Sequence, residues 1–153
     1  MSGVATLLIV HHTPSPGMQA LLEAVREGAR DDAIEGVDVV VRPALSAGAS
    51  DVLAADGILL GTPANIGYMS GALKHFFDQI YYPVLQATIG LPYALWVHGD
   101  NDAAGAVRSV ETIATGLQWR RTRDPLSVLG PVDAAAREAA WELGAATAAG
   151  LTL

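Results

Sequence analysis

The sequence predicts a doubly wound α/β protein, with a parallel sheet of five strands in the order 2-1-3-4-5 and helices on both faces. Short runs rich in Val, Leu and Ile recur along the chain, at Val4 to Val10, Val37 to Val41, Gly57 to Gly61, Pro92 to His98 and Leu126 to Leu129. Segments with apolar residues at helical spacing separate them. The runs are near-continuous rather than alternating, which marks strands covered on both faces. Right-handed crossovers then leave 2-1-3-4-5 as the natural order at this length.

Taken in order, Val4 to Val10 is an apolar, partly β-branched strand, followed by a helix over Met18 to Arg30 whose inner face is Leu21, Leu22 and Val25. Gly36 and Pro43 bracket the second strand, and Ser46 to Asp56 is a weak segment with a short helix near Asp51 to Ala55. The third run, GILLG, opens at Gly61-Thr62-Pro63 into a small polar loop. A helix pattern starting at Met69 follows it and ends near Tyr82-Pro83. Pro92 to His98 is the fourth strand, and Ala103 to Leu117 a helix with Val107, Val110, Ile113 and Ala114 inward. The fifth strand falls at Leu126 to Leu129, and the alanine-rich Val132 to Ala149 is the last helix, as its composition favours.

With 153 residues and no linker-like shift in composition, residues 1–153 are expected to form one domain. The apolar fraction is 51%, yet no apolar stretch approaches the roughly 20 residues that span a bilayer. Met1 to Ala5 lacks the charged start of an export signal, so a cytoplasmic protein without membrane insertion is expected. No cysteine is present, which excludes a thiolate nucleophile, an iron–sulfur cluster or a Cys-based zinc site. Any redox chemistry must come from a bound cofactor. A net charge of −7 with Lys74 as the sole lysine argues against a nucleic-acid partner.

Ligands of such sheets bind at the carboxyl ends of the strands, where the order reverses. The loops to inspect are therefore His11 to Gly17, Thr62 to Tyr68 and His98 to Ala104. The first, HHTPSPGMQ, puts Thr13, Ser15 and Gly17 before a helix, where hydroxyls, N–H groups and about half a positive charge from the macrodipole suit a phosphate. Net repulsion is screened beyond roughly 8 Å, so these local donors dominate. Pro14 and Pro16 remove donors but stiffen the loop. The competing reading is an ordinary turn capped by Thr13 or Ser15. In the second loop Thr62, Asn65, Gly67 and Ser70 offer hydroxyl, amide and backbone groups to a flat ligand.

Gly61-Thr62-Pro63, Gly67 and Met69-Ser70-Gly71, followed by an amphipathic helix through Phe76, Phe77 and Asp78, resemble the flavin-contacting segment of the flavodoxin-like family. The likeness is strongest to its quinone-reductase and flavin-reductase branches. It implies a flavodoxin-like fold and FMN held by Thr13, Pro14, Ser15, Gly17 and Met18, by Thr62, Pro63, Ala64, Asn65, Ile66, Gly67 and Tyr68, and by His98, Gly99, Asp100 and Asn101. Thr13 and Ser15 match two hydroxyl positions of the family's phosphate loop, and Met18 stands where a third is usual. That departure removes a contact of about 1–3 kcal/mol and implies weaker FMN binding.

The third loop, HGDNDAAG, falls where the family packs the pyrimidine end of the flavin. N–H groups of Gly99 to Asn101 would read that edge, and Asp100 and Asp102 nearby imply a lowered reduction potential. Asp102 as a helix cap is the simpler alternative.

His11, His12 and His98 stand at strand ends, but adjacent strand residues point to opposite faces and no carboxylate sits at helical spacing, so no metal site is expected. His98 is the candidate for contact with substrate or flavin, and the flavin itself would carry the chemistry. Tyr68 is the one aromatic in a flavin loop. Trp96 and Trp119 read as core, and Tyr81 and Tyr82 as covering the sheet or an interface, such as that of a homo-oligomer.

The expected function is an FMN-binding oxidoreductase that takes electrons from NAD(P)H and passes them to a quinone or similar small-molecule acceptor. Two alternatives stand beside it. One is an electron carrier docking on a redox protein without direct NAD(P)H activity, and the other a family member that binds no cofactor. A phosphoacceptor domain would need acidic groups where the chain has His11-His12 and Gly61-Thr62. A Rossmann dinucleotide site would need G-x-G-x-x-G after the first strand.

Overall fold

The computed structural model describes residues 3–152, so Met1 and Ser2 of the N-terminal stretch lie outside the described residues. Strands are β1 (Ala5–His11), β2 (Val37–Pro43), β3 (Gly57–Asn65), β4 (Tyr68–Met69), β5 (Pro92–Gly99), β6 (Arg120–Arg121) and β7 (Leu126–Leu129). Helices are α1 (Pro16–Ala29), α2 (Ala49–Leu53), α3 (Gly71–Val84), α4 (Ala104–Gly116) and α5 (Ala134–Ala149). The sheet runs β2-β1-β3-β5-β6, with β7 also on β5 and β4 on β3. Counting β6 and β7 as one interrupted strand, this is the expected 2-1-3-4-5 order, with parallel pairing throughout its main path.

Burial follows the pleat. Leu8, Val10, Ile58, Leu60, Leu95 and Val97 face α2, α3 and α4, while Leu7, Ile9, Leu59, Ala94 and Trp96 face α1 and α5. Alternate residues of one strand thus feed two separate cores, which is why the strand sequences carry no polar alternation. The row His11, Gly61, Trp96, Leu126 crosses the sheet on the α1 and α5 side. In that row the Trp96 indole fills the place of the missing Gly61 side chain, since a Cβ there would stand 2.0 Å from Cζ2.

Several segments differ from expectation. The third strand continues four residues beyond Gly61, to Asn65, and turns back into β4, so Thr62 to Tyr68 is a β-hairpin rather than an open loop. Pairing with β5 as far as Pro63 and with β4 beyond it satisfies backbone groups that a loop would expose. The fifth strand has an extra piece, Arg120–Arg121, which pairs with the start of β5 while Leu126–Leu129 pairs with its end. Helix α3 starts at Gly71, not Met69, because Met69 pairs with Ala64 and Ser70 is the N-cap.

Candidate mononucleotide site

At the carboxyl end of β1, Ser15 caps α1. Its Oγ accepts from the Met18 N–H at 3.2 Å, and Pro16 takes the first helical position, where a missing N–H costs nothing. The hydroxyl proton of Ser15 and the N–H of Gly17 remain the polar groups of this turn that suit an anion, and α1 has no acidic residue in its first turn. Thr13 is half-exposed, with Oγ1 2.8 Å from His11 Nδ1. Met18 is fully buried among Leu21, Leu22 and Ile9, so its side chain lies in the core and not at the loop surface. Its presence in the phosphate-loop motif is thus a packing choice.

The hairpin supplies the second wall. Pro63 and Ala64 are half-exposed and Asn65, Ile66, Gly67 and Tyr68 exposed. Thr62 and Ser70 do not reach the surface, being 0% and 1% exposed. Thr62 Oγ1 donates to the Pro63 carbonyl and accepts from the Ser70 N–H at 2.9 Å, while Ser70 Oγ accepts from the Leu73 N–H. Their hydroxyls lock the hairpin onto α3 and are not ligand donors, which corrects the expectation for those two side chains.

The turn of the hairpin is strained. Ile66 has φ 50° and Gly67 φ 73°, the pair of positive values that a two-residue type I′ turn needs. Glycine adopts this freely, but a β-branched residue there costs about 1–2 kcal/mol. Ile66 is 105% exposed and gains no burial in return. Ile66→Asn is therefore expected to raise the unfolding free energy by about 1 kcal/mol, read from the urea midpoint; a lower midpoint would refute the strain.

Helix α4 holds the hairpin from behind. Ser109 Oγ accepts from the Met69 N–H at 3.1 Å, and a Cβ on Gly105 would stand 2.1 Å from the Gly67 carbonyl oxygen. Gly105 closes the third loop, HGDNDAAG, without being expected to touch the ligand, and Ser109 lies outside all three loops. Their i, i+4 spacing puts two small residues on one face of α4, and that was the signal available.

The third wall follows β5. Gly99 is buried and Asp100 and Asn101 exposed, while Asp102 Oδ1 accepts from the Ala104 N–H at 3.0 Å; the N-cap of α4 is Ala103, so Asp102 bonds the first turn from one residue before the cap position. His98 turns toward the α1 and α5 side. Its ring lies on Gly17, with Cε1 2.6 Å from where a Cβ would be, and Nε2 is 2.7 Å from the Gly130 carbonyl oxygen. It joins the first loop to the β7–α5 turn and lines a cleft of about 480 Å³ with Gly17, Asp100, Gly130 and Arg137. Two other hollows, of about 580 and 600 Å³, lie along α5 away from the three loops.

Trp96 and Trp119 are buried as expected, at 0% and 6%, Tyr81 is half-buried and Tyr82 exposed. Among the described residues no helix is long and apolar enough to cross a membrane.

A parallel sheet in this order, covered by helices on both faces, is the doubly wound architecture. No protein-family model matches the sequence. A flavodoxin of Aquifex aeolicus (strain VF5) is 36% identical over 74 residues, 48% of this chain and 39% of that protein. The match thus spans about two fifths of the relative's length. Among solved structures, a flavodoxin from the domain Archaea superposes with a TM-score of 0.83 at 16% identity, covering 97% of this chain and 99% of that one. A WrbA-like flavodoxin from Agrobacterium tumefaciens gives 0.79 at 18%, covering 96% and 97%, and a Streptococcus pneumonia TIGR4 flavodoxin 0.77 at 20%, covering 95% and 99%. The chain has the flavodoxin-like fold.

Proposed function

We propose that this protein binds FMN across the three loops and passes electrons from NAD(P)H through it to a quinone or similar acceptor. The observation that carries the reading is the adjacency of two unlike surfaces at neighbouring strand ends. One is an anion-suited helix N-terminus capped by Ser15, without a carboxylate in its first turn. The other is an exposed hairpin edge of Asn65, Ile66, Gly67 and Tyr68 suited to a flat ring. That donor set fits a phosphate monoester at one end and a heteroaromatic ring at the other.

FMN when bound supplies the redox chemistry, including the capacity to accept two electrons and release them singly. The chain's own groups bind and orient. Gly17 N–H and the Ser15 and Thr13 hydroxyls would hold the phosphate, the N–H groups of Gly99 to Asn101 the pyrimidine edge, and the hairpin one face of the ring. Tyr68 is the single aromatic among these loops, so one ring face stays accessible to a nicotinamide or a quinone. No side chain is needed as acid or base.

The visible spectrum of the purified protein, identification of the released chromophore, and anaerobic mixing with NADH and NADPH test this. Reduction by either nucleotide supports the oxidoreductase. A flavin-loaded protein inert to both indicates the carrier instead, a reading favoured by the −7 charge, which suits docking on a basic partner. Failure to bind added riboflavin phosphate would falsify both. Asp100→Asn is expected to raise the flavin potential by on the order of 20 mV, because an exposed charge a few ångströms away is worth about 1 kcal/mol. An unchanged potential in potentiometric titration would mean that Asp100 points away from the ring.

A further inference from the structure

His11 ends β1 half-buried on the α1 and α5 side, and its Nδ1 lies 2.8 Å from Thr13 Oγ1 at the start of the first loop. This contact has two polarities. When Nδ1 carries no proton, the Thr13 O–H donates to the ring, and the oxygen has only lone pairs to turn toward an approaching anion. When Nδ1 carries a proton its N–H donates to Oγ1 and the hydroxyl proton is released to a second acceptor; the neutral ring reaches this polarity only in its Nδ1–H tautomer, whereas the imidazolium is fixed in it.

We propose that His11 is a positioning residue for the phosphate of the bound mononucleotide, its protonation deciding whether Thr13 presents a donor or an acceptor. This rests on the FMN reading and goes beyond it, because it makes binding of the phosphate end proton-coupled. The loop has no lysine or arginine between His11 and Gly17, so a positive charge from its own residues can come only from the imidazoles of His11 and His12, of which His11 lies one hydrogen bond behind Thr13.

The surroundings fix the sign. Burial first, then the adjacent His12 just beyond the end of β1, then Arg26 on α1 hold His11 below its ordinary value of 6.5. Its strand partners, Pro43 on β2 and Gly61 on β3, carry no charge, and Trp96 beyond Gly61 is neutral. On the same side of the sheet His98 on β5 packs on Gly17, Asp100 and Arg137 line the cleft with it, and α1 and α5 also carry Glu23, Glu27, Glu138 and Glu142, with Arg30 at the end of α1. In the free protein the ring is therefore neutral near pH 7. A phosphate dianion accepting from Thr13 favours the charged form and raises that value, so binding takes up a proton. The extra affinity is fully present below the free-protein pKa and is lost as pH rises through that of the complex.

The test is an imidazole NMR titration of wild-type protein alone, with FMN and with riboflavin, combined with flavin-fluorescence affinities over about pH 5.5 to 8.5. FMN is expected to raise the pKa of His11 and riboflavin to leave it in place. Thr13→Val should weaken FMN about tenfold on the acidic side, the loss of one charge-assisted hydrogen bond, and riboflavin hardly at all. His11→Asn should flatten the FMN-to-riboflavin affinity ratio relative to wild type. The ionisation of the FMN phosphate itself is common to all three proteins and cancels between them. If FMN binds and His11 titrates as in the free protein, the relay is wrong and the FMN reading survives; variants that keep the wild-type pH profile overturn the relay in the same way. If wild-type protein binds no FMN, both fall together. The NMR arm uses no variant, so it stands even where a substitution unfolds the chain.

Discussion

Gly144→Val is expected to lower the unfolding free energy by about 3 kcal/mol or more, the upper end for overpacking a core. Helices α1 and α5 touch backbone to backbone. A Cβ on Gly144 would stand 2.0 Å from the Val25 carbonyl oxygen and 3.1 Å from the Ala29 nitrogen. Reciprocally, a Cβ on Gly28 would stand 2.0 Å from the Trp141 carbonyl oxygen and 3.1 Å from the Ala145 nitrogen. A side chain can rotate away from such a clash, but a helix backbone cannot, so the two axes must separate. That separation loosens Leu22, Val25, Ala140, Leu143 and Ala148, which are buried in this layer. Thermal unfolding should fall by roughly 6–12 °C for a chain of this size, and Gly144→Ala should show a smaller loss of the same sign. A valine variant that melts with the wild type would mean that the helices do not meet at these glycines.

Gly105→Ala is expected to weaken FMN binding by at least about tenfold while leaving global stability nearly unchanged. The added methyl would enter the position 2.1 Å from the Gly67 carbonyl oxygen. Here the obstacle is a hairpin tip with exposed residues on its outer side, so it yields by moving outward. The hydrogen bond from Met69 N–H to Ser109 Oγ, four residues along α4, is strained by the same movement. Alanine also favours the helix over glycine by about 1 kcal/mol, which offsets the local cost. Ligand geometry, in contrast, is unforgiving, because a displacement of about 1 Å is enough to lose orders of magnitude. Titration with FMN beside urea unfolding separates the two effects. Unchanged affinity would show that the hairpin does not form a wall of the flavin site.

The layout of strands and helices was legible because its signals are local. Val4 to Val10 and Pro92 to His98 are largely apolar, and structure and pattern agree there to within one residue at each end. Helix α1 starts at Pro16, two residues before the Met18 expected from apolar periodicity, because Ser15 as the cap and the fixed φ of Pro16 open the helix ahead of its first buried residue. The hairpin was missed because its central Ile66-Gly67 is a poor turn sequence. The strain it carries is offset by Thr62, Ser70 and Ser109 contacts made through distant neighbours. His98 read as a ligand-facing residue at a strand end, but the pleat directs it to the α1 side, where Gly17 leaves room for its ring.

Composition, apolar periodicity and the handedness of crossovers pointed to the strand order and the two-sided burial of the sheet, and to the ends of β1, β3 and β5 as the candidate site. These follow from burial and backbone hydrogen bonding, which act residue by residue along the chain. Only the tertiary structure decided which hydroxyls point outward. Thr62 and Ser70 were consumed as internal latches and Met18 was drawn into the core, while Thr13 was coupled to His11. The physical reason is that a hydroxyl or a ring nitrogen takes its role from whichever partner lies within about 3 Å, and that partner is set by packing between segments far apart in sequence.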